Sequence, residues 1–143
     1  MPYLLCMMSA QPAPLVRVLL VDDSEPVRKR LRVLVEEGVG LSVVGEADTV
    51  ASAITAVERV APDAVVLDLN LPDGSGYTVL QAIRRIANRC LVIVLTQHAS
   101  PEHRKRCRLL GADHFLDKNA DFERLPALLA VPWRAATDAA GAE

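Results

Sequence analysis

Short apolar runs alternate with longer segments in which apolar residues recur every three or four positions. The short runs have the length and β-branched content of strands, and the longer segments have the spacing of amphipathic helices. This alternation is typical of βα units arranged around a parallel sheet. The predicted strands cover residues 15–21, 41–47, 64–67, 91–95 and 114–116.

Three of these runs, 15–21, 64–67 and 91–95, are apolar without alternation. Continuous apolar character is expected of strands that are covered on both faces, so we place these three at the centre of the sheet. The predicted fold class is therefore α/β, with a single doubly wound five-stranded parallel sheet and helices on both faces.

Helix starts are marked by residues whose side chains cap the first backbone N–H groups. In the third helix, the apolar spacing predicts a core face made of Val79, Leu80, Ile83 and Ile86. The last segment, 121–130, contains Pro126, so we expect its helix to begin late or to be kinked. The predicted capping residues are Ser24, Asp48 or Thr49, Ser75 or Gly76, and Ser100.

The length of 143 residues and the apolar content of 51% suit one globular domain. We place it at 15–131, with a flexible leader at 1–14 and a loose tail at 132–143. The net charge of −2 gives no drive toward nucleic acid or a membrane surface, and we expect direct binding to neither. The three cysteines form no CxxC motif, so we expect a reducing, cytoplasmic location and no zinc site.

Polar side chains follow the predicted strands at the point where each strand ends. Asp22 and Asp23 follow the first strand, Asp68 follows the third, and Thr96 follows the fourth. Lys118 follows the last apolar run. Since the carboxyl ends of parallel strands meet along one edge of the sheet, we expect these five side chains to form one site.

Clustered carboxylates repel one another unless a cation lies among them, and hard oxygen ligands favour Mg²⁺. We predict Asp23 and Asp68 as direct ligands, Asp22 as a ligand through a bound water, and the backbone carbonyl of Asn70 as a further ligand. A carboxylate nucleophile at Asp68 would form an acyl phosphate with an incoming phosphoryl group. Lys118 and the Thr96 hydroxyl would then contact phosphoryl oxygens.

Four sequence pieces together resemble the receiver domain of two-component response regulators: residues 21–24, 67–76, 95–96 and 111–118. They read Val-Asp-Asp-Ser, Leu-Asp-Leu-Asn-Leu-Pro-Asp-Gly-Ser-Gly, Leu-Thr and Gly-Ala-Asp-His-Phe-Leu-Asp-Lys. The resemblance extends over about 16–130 and implies a flavodoxin-like receiver architecture. It also implies roles for individual side chains: phosphoacceptor for Asp68, acidic metal pocket for Asp22 and Asp23, switch hydroxyl for Thr96, phosphate contact for Lys118, and rotating aromatic for Phe115.

The resemblance implies a signalling protein that is not an enzyme in the ordinary sense and that receives its phosphoryl group, with Mg²⁺, from a sensor histidine kinase or a phosphotransfer protein. From the length of the chain we expect a stand-alone receiver, unless the chain is a fragment of a longer regulator. We expect a downstream protein target to dock on the face around helix 100–110. Phosphorylation-dependent homodimerisation stays open.

Two departures from the receiver pattern keep an alternative open. Asn119 stands where receivers usually have proline, and Gln97 stands where a small residue is common. They give mild support to the alternative of a receiver-like interaction module that is never phosphorylated. A third reading is an aspartyl-phosphate phosphatase of the haloacid-dehalogenase type, which needs a DxDx[TV] motif, whereas residues 68–72 read Asp-Leu-Asn-Leu-Pro.

Overall fold

A computed structural model describes residues 15–97 and 99–130 of the chain. The predicted leader at 1–14 and the predicted tail at 132–143 lie outside these residues. The strands of the main sheet run very nearly as the apolar runs predict. They are β1 (Val16–Val21), β2 (Leu41–Ala47), β3 (Ala64–Leu67), β4 (Leu91–Thr96) and β5 (His114–Asp117).

All neighbouring strands of this sheet are parallel, and their order is β2-β1-β3-β4-β5. The predicted α/β fold class is confirmed, and the three unbroken apolar runs are the three central strands. The chain moves from β1 outward to β2 and then back across to β3. Strand order therefore reverses between β1 and β3, which is where open α/β sheets bind ligands.

The helices begin at the capping residues that the sequence predicts. The side chains of Ser24, Thr49, Ser75 and Ser100 each accept a hydrogen bond from a backbone N–H in the first turn. The last segment begins late, as a 3₁₀ turn (Phe122–Arg124) followed by one short α-helix. The helices are α1 (Glu25–Glu36), α2 (Val50–Val60), α3 (Gly76–Ile86), α4 (Pro101–Leu109) and α5 (Leu125–Leu128).

Two apolar cores lie on opposite faces of the sheet. On one face, α1 and α5 contribute buried leucine and valine side chains, and on the other face α2, α3 and α4 cover the strands. The prediction for Ile86 was wrong, because its side chain is 40% exposed. Ile86 is the last residue of α3, and Ala87 after it leaves the helical conformation, so the core face ends one turn earlier.

The carboxyl ends of β1, β3, β4 and β5 lie at one edge of this sheet. Register places Val21 beside Leu67, Leu67 beside Val94, and Thr96 beside Asp117. The residues that follow each strand are thereby delivered to the same edge. Beside this edge, Asn70–Leu71 pairs antiparallel with Gly74–Ser75 in the loop after β3.

Candidate functional site

Two buried aspartates and one exposed aspartate meet where β1 and β3 end. Asp22 and Asp68 are 1% and 5% exposed, whereas Asp23 is exposed to solvent. Each of the three offers a carboxylate oxygen, and these oxygens all lie within 4.8 Å of one another. Ionised carboxylates at this separation repel one another strongly in a partly buried site, so the cluster requires compensating positive charge.

Lys118 supplies positive charge to this cluster. Its Nζ atom lies 2.5 Å from Oδ2 of Asp22 and 3.1 Å from Oδ2 of Asp68. Burial lowers the pKa of Lys118, but the hydrogen bond to Asp22 and the charge of Asp68 outweigh burial, so the pKa lies above its ordinary value. Burial raises the pKa of Asp68, which Lys118 opposes and the charge of Asp22 reinforces.

Three polar atoms of Asp22 form hydrogen bonds that fix its position at the end of β1. Its N–H donates to the carbonyl oxygen of Ala47, and its Oδ1 atom accepts from the N–H of Ser24. Its carbonyl oxygen accepts a hydrogen bond of 2.7 Å from Nη1 of Arg28. Sequence reasoning missed this role of Arg28, because nothing in the helix pattern shows that its side chain reaches back to the preceding loop.

The loop after β3 makes close contacts at both of its ends. Asp68 Oδ1 accepts from the N–H of Asn70 at 3.3 Å, and a Cβ atom at Gly76 would collide with the carbonyl oxygen of Asp68. Further along, the carboxylate of Asp73 accepts from two consecutive N–H groups at the start of α2, those of Val50 and Ala51. Sequence reasoning also missed this role of Asp73, because the sequence does not show that a loop aspartate lies beside the start of a distant helix.

An open pocket of about 170 Å³ lies over the acidic cluster. Asn70, whose carbonyl the sequence predicts as a ligand, lines this pocket. Gln97 also lines it and is exposed, so its side chain stands at the mouth of the pocket. The other lining residues are Asp22, Asp23, Ser24, Val27, Asp68 and Lys118.

Thr96 is the last residue of β4 and is fully buried. Its carbonyl oxygen accepts a hydrogen bond of 2.9 Å from the N–H of Lys118, so the ends of β4 and β5 are joined beside Asp68. The loop that continues from Lys118 is ordered without proline. The N–H of Asn119, a donor that proline lacks, donates to Oδ1 of Asp117 at 2.8 Å.

Phe115 lies on β5, and its side chain is 8% exposed. The guanidinium group of Arg104 on α4 lies 4.8 Å from the centroid of this ring and donates to the carbonyl oxygen of Phe115 at 3.2 Å. Arg104 also lines a groove of about 260 Å³ together with Arg108 and Arg124. The structure thus joins the predicted aromatic switch to the basic helix, a link that the sequence alone did not reveal.

The family model described as response regulator receiver domain matches residues 18–130. The chain belongs to the response regulator receiver family. The matched region contains every strand end of the site and every predicted site residue. The receiver fold itself follows from the strand order and from the helices on both faces of the sheet.

Known proteins support the same assignment. The chain is 40% identical over 107 residues to the DNA-binding transcriptional activator DevR/DosR of Mycobacterium tuberculosis, covering 73% of this chain and 48% of that protein. A LuxR-family two-component response regulator from Aurantimonas sp. is 30% identical, with a TM-score of 0.74 and coverage of 87% of this chain and 86% of that one. The receiver therefore spans about half the length of the curated relative it matches.

A third similar protein was solved with ligands. It is the CheX-CheY-BeF₃-Mg²⁺ complex from Borrelia burgdorferi, which is 25% identical, with a TM-score of 0.73 and coverage of 80% of this chain and 86% of that one.

As for membrane insertion, every helix in the described part of this receiver falls short of the length and apolar character that a span requires.

Proposed function

We propose that this receiver is a cytoplasmic signalling protein whose Asp68 accepts a phosphoryl group from the phosphohistidine of a sensor kinase or a phosphotransfer protein. One observation carries the proposal. The carboxylate of Asp68 is buried, contacts the ammonium group of Lys118, and lies at an open pocket beside two further carboxylates. An aspartate with a purely structural role needs neither the two neighbouring carboxylates nor access from solvent.

The donor atoms at this pocket fit Mg²⁺. Carboxylate oxygens of Asp22, Asp23 and Asp68 lie within 4.8 Å of one another, and hard oxygen ligands on an open site suit an ion that keeps several waters. Asp23 and Asp68 would bind the ion directly, Asp22 through water, and Asn70 through its carbonyl oxygen. When bound, the ion neutralises and orients the incoming phosphoryl oxygens.

Phosphoryl transfer then needs a carboxylate nucleophile in its ionised form. A carboxylate oxygen of Asp68 forms the new bond to phosphorus, and the bond from phosphorus to the donor imidazole nitrogen breaks, with its electron pair returning to the imidazole. Lys118 favours the ionised carboxylate by its charge and offers a point charge to the transferred group. Asp68 is the group that is modified, so the receiver is a phosphoacceptor and not a turnover enzyme.

The acyl phosphate would change the environment of Thr96 and Lys118 at once. Both residues are already joined by a backbone hydrogen bond, and phosphoryl oxygens give the Thr96 hydroxyl and the Lys118 ammonium group new acceptors. Phe115 pairs with Val94 in the sheet, two residues before Thr96. A shift at Thr96 is therefore transmitted to Phe115 and, through Arg104, to α4.

Helix α4 is the proposed output surface. Its nine residues carry four basic side chains and one acidic side chain, although the whole chain has a net charge of −2. A downstream protein would dock on the face around helix 100–110. The sequence-based expectation that this chain does not bind nucleic acid directly stays untested, and the DNA-binding relative weighs against it. An electrophoretic shift assay with duplex DNA tests it for this chain.

Beryllofluoride binding tests the proposal, with amide NMR spectra recorded with Mg²⁺ and with EDTA. With Mg²⁺ we expect the signals of Asp68, Thr96 and Lys118 to shift together, and with EDTA we expect no shift. Asp68→Asn should abolish the response. Asp73→Asn, which makes the same charge change in the same loop, should keep it.

The switch has its own test in the same spectra. Thr96→Ser keeps a hydroxyl, so shifts should still reach Phe115 and α4, whereas in Thr96→Ala they should stay confined to the residues around Asp68. A wild-type protein that gives no response to beryllofluoride would favour the unphosphorylated interaction module. Steady hydrolysis of small phosphate esters would favour the phosphatase.

A further inference from the structure

Arg28 joins the acidic pocket to the edge strand β2. Its Nη1 atom donates to the carbonyl oxygen of Asp22 at 2.7 Å, and its Nε atom donates to Oε1 of Glu46 at 2.9 Å. The Arg28 side chain is 16% exposed and the Glu46 side chain is 29% exposed, so Arg28 is the more buried partner and Glu46 lies at the surface. One guanidinium group thus contacts a backbone atom of the pocket and a carboxylate on another element.

The hydrogen bond to Asp22 lies where the chain changes direction. The β1–β2 ladder ends with Val21 beside Ala47, and the N–H of Asp22 still donates to Ala47. The next polar backbone atom, the carbonyl oxygen of Asp22, accepts from Arg28 and not from a strand N–H. The chain then turns into α1, which leaves Asp22 buried against Lys118 and Asp23 exposed at the pocket.

We propose that Arg28, oriented by Glu46, is a positioning residue that sets the backbone direction at Asp22 and thereby aims the carboxylates of Asp22 and Asp23 into the pocket. The planar guanidinium fork is suited to hold two acceptors in a defined direction, which a lysine ammonium group is not. Groups that orient metal ligands without touching the metal commonly control affinity. The inference rests on the proposed Mg²⁺ site.

The loss of the Arg28 charge and the loss of its orienting hydrogen bond should change the Mg²⁺ affinity in opposite directions. Removing a positive charge near an acidic pocket, by itself, tightens the binding of a divalent cation, because a repulsive charge is lost. Losing the orientation of two ligands weakens that binding. The direction of the change in Mg²⁺ affinity therefore separates a positioning role from a purely electrostatic one.

Arg32 provides a matched control. It lies one turn later on α1, its Nε atom donates to Oε2 of Glu46 at 3.0 Å, and its other carboxylate partner is Glu36. Like Arg28→Met, Arg32→Met removes one positive charge and one hydrogen-bond partner of Glu46. It leaves the hydrogen bond to the carbonyl of Asp22 in place.

The test compares Mg²⁺ titration calorimetry of the wild type, Arg28→Met and Arg32→Met. We expect the Mg²⁺ dissociation constant of Arg28→Met to rise about tenfold, the lower end of the effect of removing a group that orients metal ligands. Arg32→Met should bind at least as tightly as the wild type. Arg28→Lys keeps the charge and loses the fork, so it should weaken binding as well, and it serves if Arg28→Met does not fold.

A second measurement needs no metal. In EDTA, backbone amide exchange at Asp23 and Ser24 should be faster in the Arg28 variants than in Arg32→Met. Tighter Mg²⁺ binding in Arg28→Met, or equal exchange at these amides in the Arg28 and Arg32 variants, would overturn the positioning role. If the wild type binds no Mg²⁺, the proposed metal site fails, while the metal-free exchange still decides whether Arg28 orders this loop.

Discussion

The Nζ atom of Lys118 lies 3.1 Å from Oδ2 of Asp68, although the two residues are 50 positions apart. The lysine follows an edge strand and the aspartate follows a central one, and only the parallel arrangement of β3, β4 and β5 brings them together. This contact gives Lys118 two roles. It offsets part of the negative charge of two buried carboxylates before phosphorylation, and in the proposed function it contacts the phosphoryl group afterwards.

Lys118→Met should separate these two roles. Removing one partner of a buried ionic cluster takes away the ammonium group that the carboxylates of Asp22 and Asp68 both contact, so the metal-free protein should lose about 3 kcal/mol of unfolding free energy in chemical denaturation. Mg²⁺ should bind more tightly, because a competing positive charge is gone, and beryllofluoride should no longer shift Thr96. Lys118→Arg keeps the charge and should lose less stability. Weaker Mg²⁺ binding in Lys118→Met would contradict this account.

Asp68→Asn should stabilise the metal-free protein. The raised pKa of Asp68 means that burial disfavours its charged form, so at neutral pH the ionised side chain costs stability in the folded state. We expect the melting temperature in EDTA to rise by about 4 °C, corresponding to about 1 kcal/mol. Mg²⁺ should then raise the melting temperature of the wild type more than that of the variant. A lower melting temperature for Asp68→Asn in EDTA would show that the site is not strained by its charge.

Glu46 should make a pH-dependent contribution to stability. Its hydrogen bond with Arg32 lowers its pKa, burial opposes this effect, and Arg28 adds to the lowering. A lowered folded pKa stabilises the protein at pH values above the ordinary carboxyl range, and the contribution is lost as pH falls through the folded pKa. Glu46→Gln should therefore cost at most about 1 kcal/mol at pH 7, because solvent screens this exposed ion pair. Thermal melts should show the two proteins converging below about pH 4, and a constant difference would argue against the ion pair.

The strand ends and helix starts could be predicted from the sequence for physical reasons. Buried parallel strands must be apolar throughout, so the first polar residue after each run, such as Asp22 or Asp68, marks the end of a strand. Hydroxyl groups that cap helices act on N–H groups two or three residues later, which makes Ser24 and Ser100 visible in a linear pattern. Together with the rule that the carboxyl ends of parallel strands meet at one edge of a sheet, these local rules were enough to predict the acidic cluster.

Contacts from side chains to backbone atoms of other elements could not be predicted in this way. Arg28, Asp73 and Arg104 each bind a backbone atom of another element, and the direction of a long side chain depends on packing that no local rule specifies. Arg84 is a further case, because its guanidinium group donates to the carbonyl oxygens of Cys90 and Gly111. The sequence shows such residues only as charges on helices or in loops.

Tyr77 should control how firmly α4 is attached. Its ring stacks against His103 with centroids 6.4 Å apart, and the guanidinium group of Arg106 lies 4.3 Å from its centroid. Among the residues of α4, Cys107 alone is fully buried, so few apolar contacts hold the helix, and these ring contacts add to its attachment. Tyr77→Ala should speed amide exchange across α4 about tenfold, equivalent to about 1.4 kcal/mol.

Tyr77→Phe is the control for this experiment, because it keeps the ring and removes only the hydroxyl group. Exchange in α4 should then stay near the wild-type rate. If α4 exchanged at the wild-type rate in Tyr77→Ala as well, the helix would be held by its other contacts, and its movement on phosphorylation would not require these rings to separate.

Phosphorylation of Asp68 is tested by locating the phosphoryl group on the chain. The protein is incubated with acetyl phosphate and Mg²⁺, and peptides are mapped by mass spectrometry under conditions that preserve acyl phosphates. We predict one added phosphoryl group, sensitive to hydroxylamine, on the peptide that contains Asp68, and none when EDTA replaces Mg²⁺. A phosphoryl group on another residue, or an unmodified Asp68 in a folded protein with Mg²⁺ present, would contradict the account.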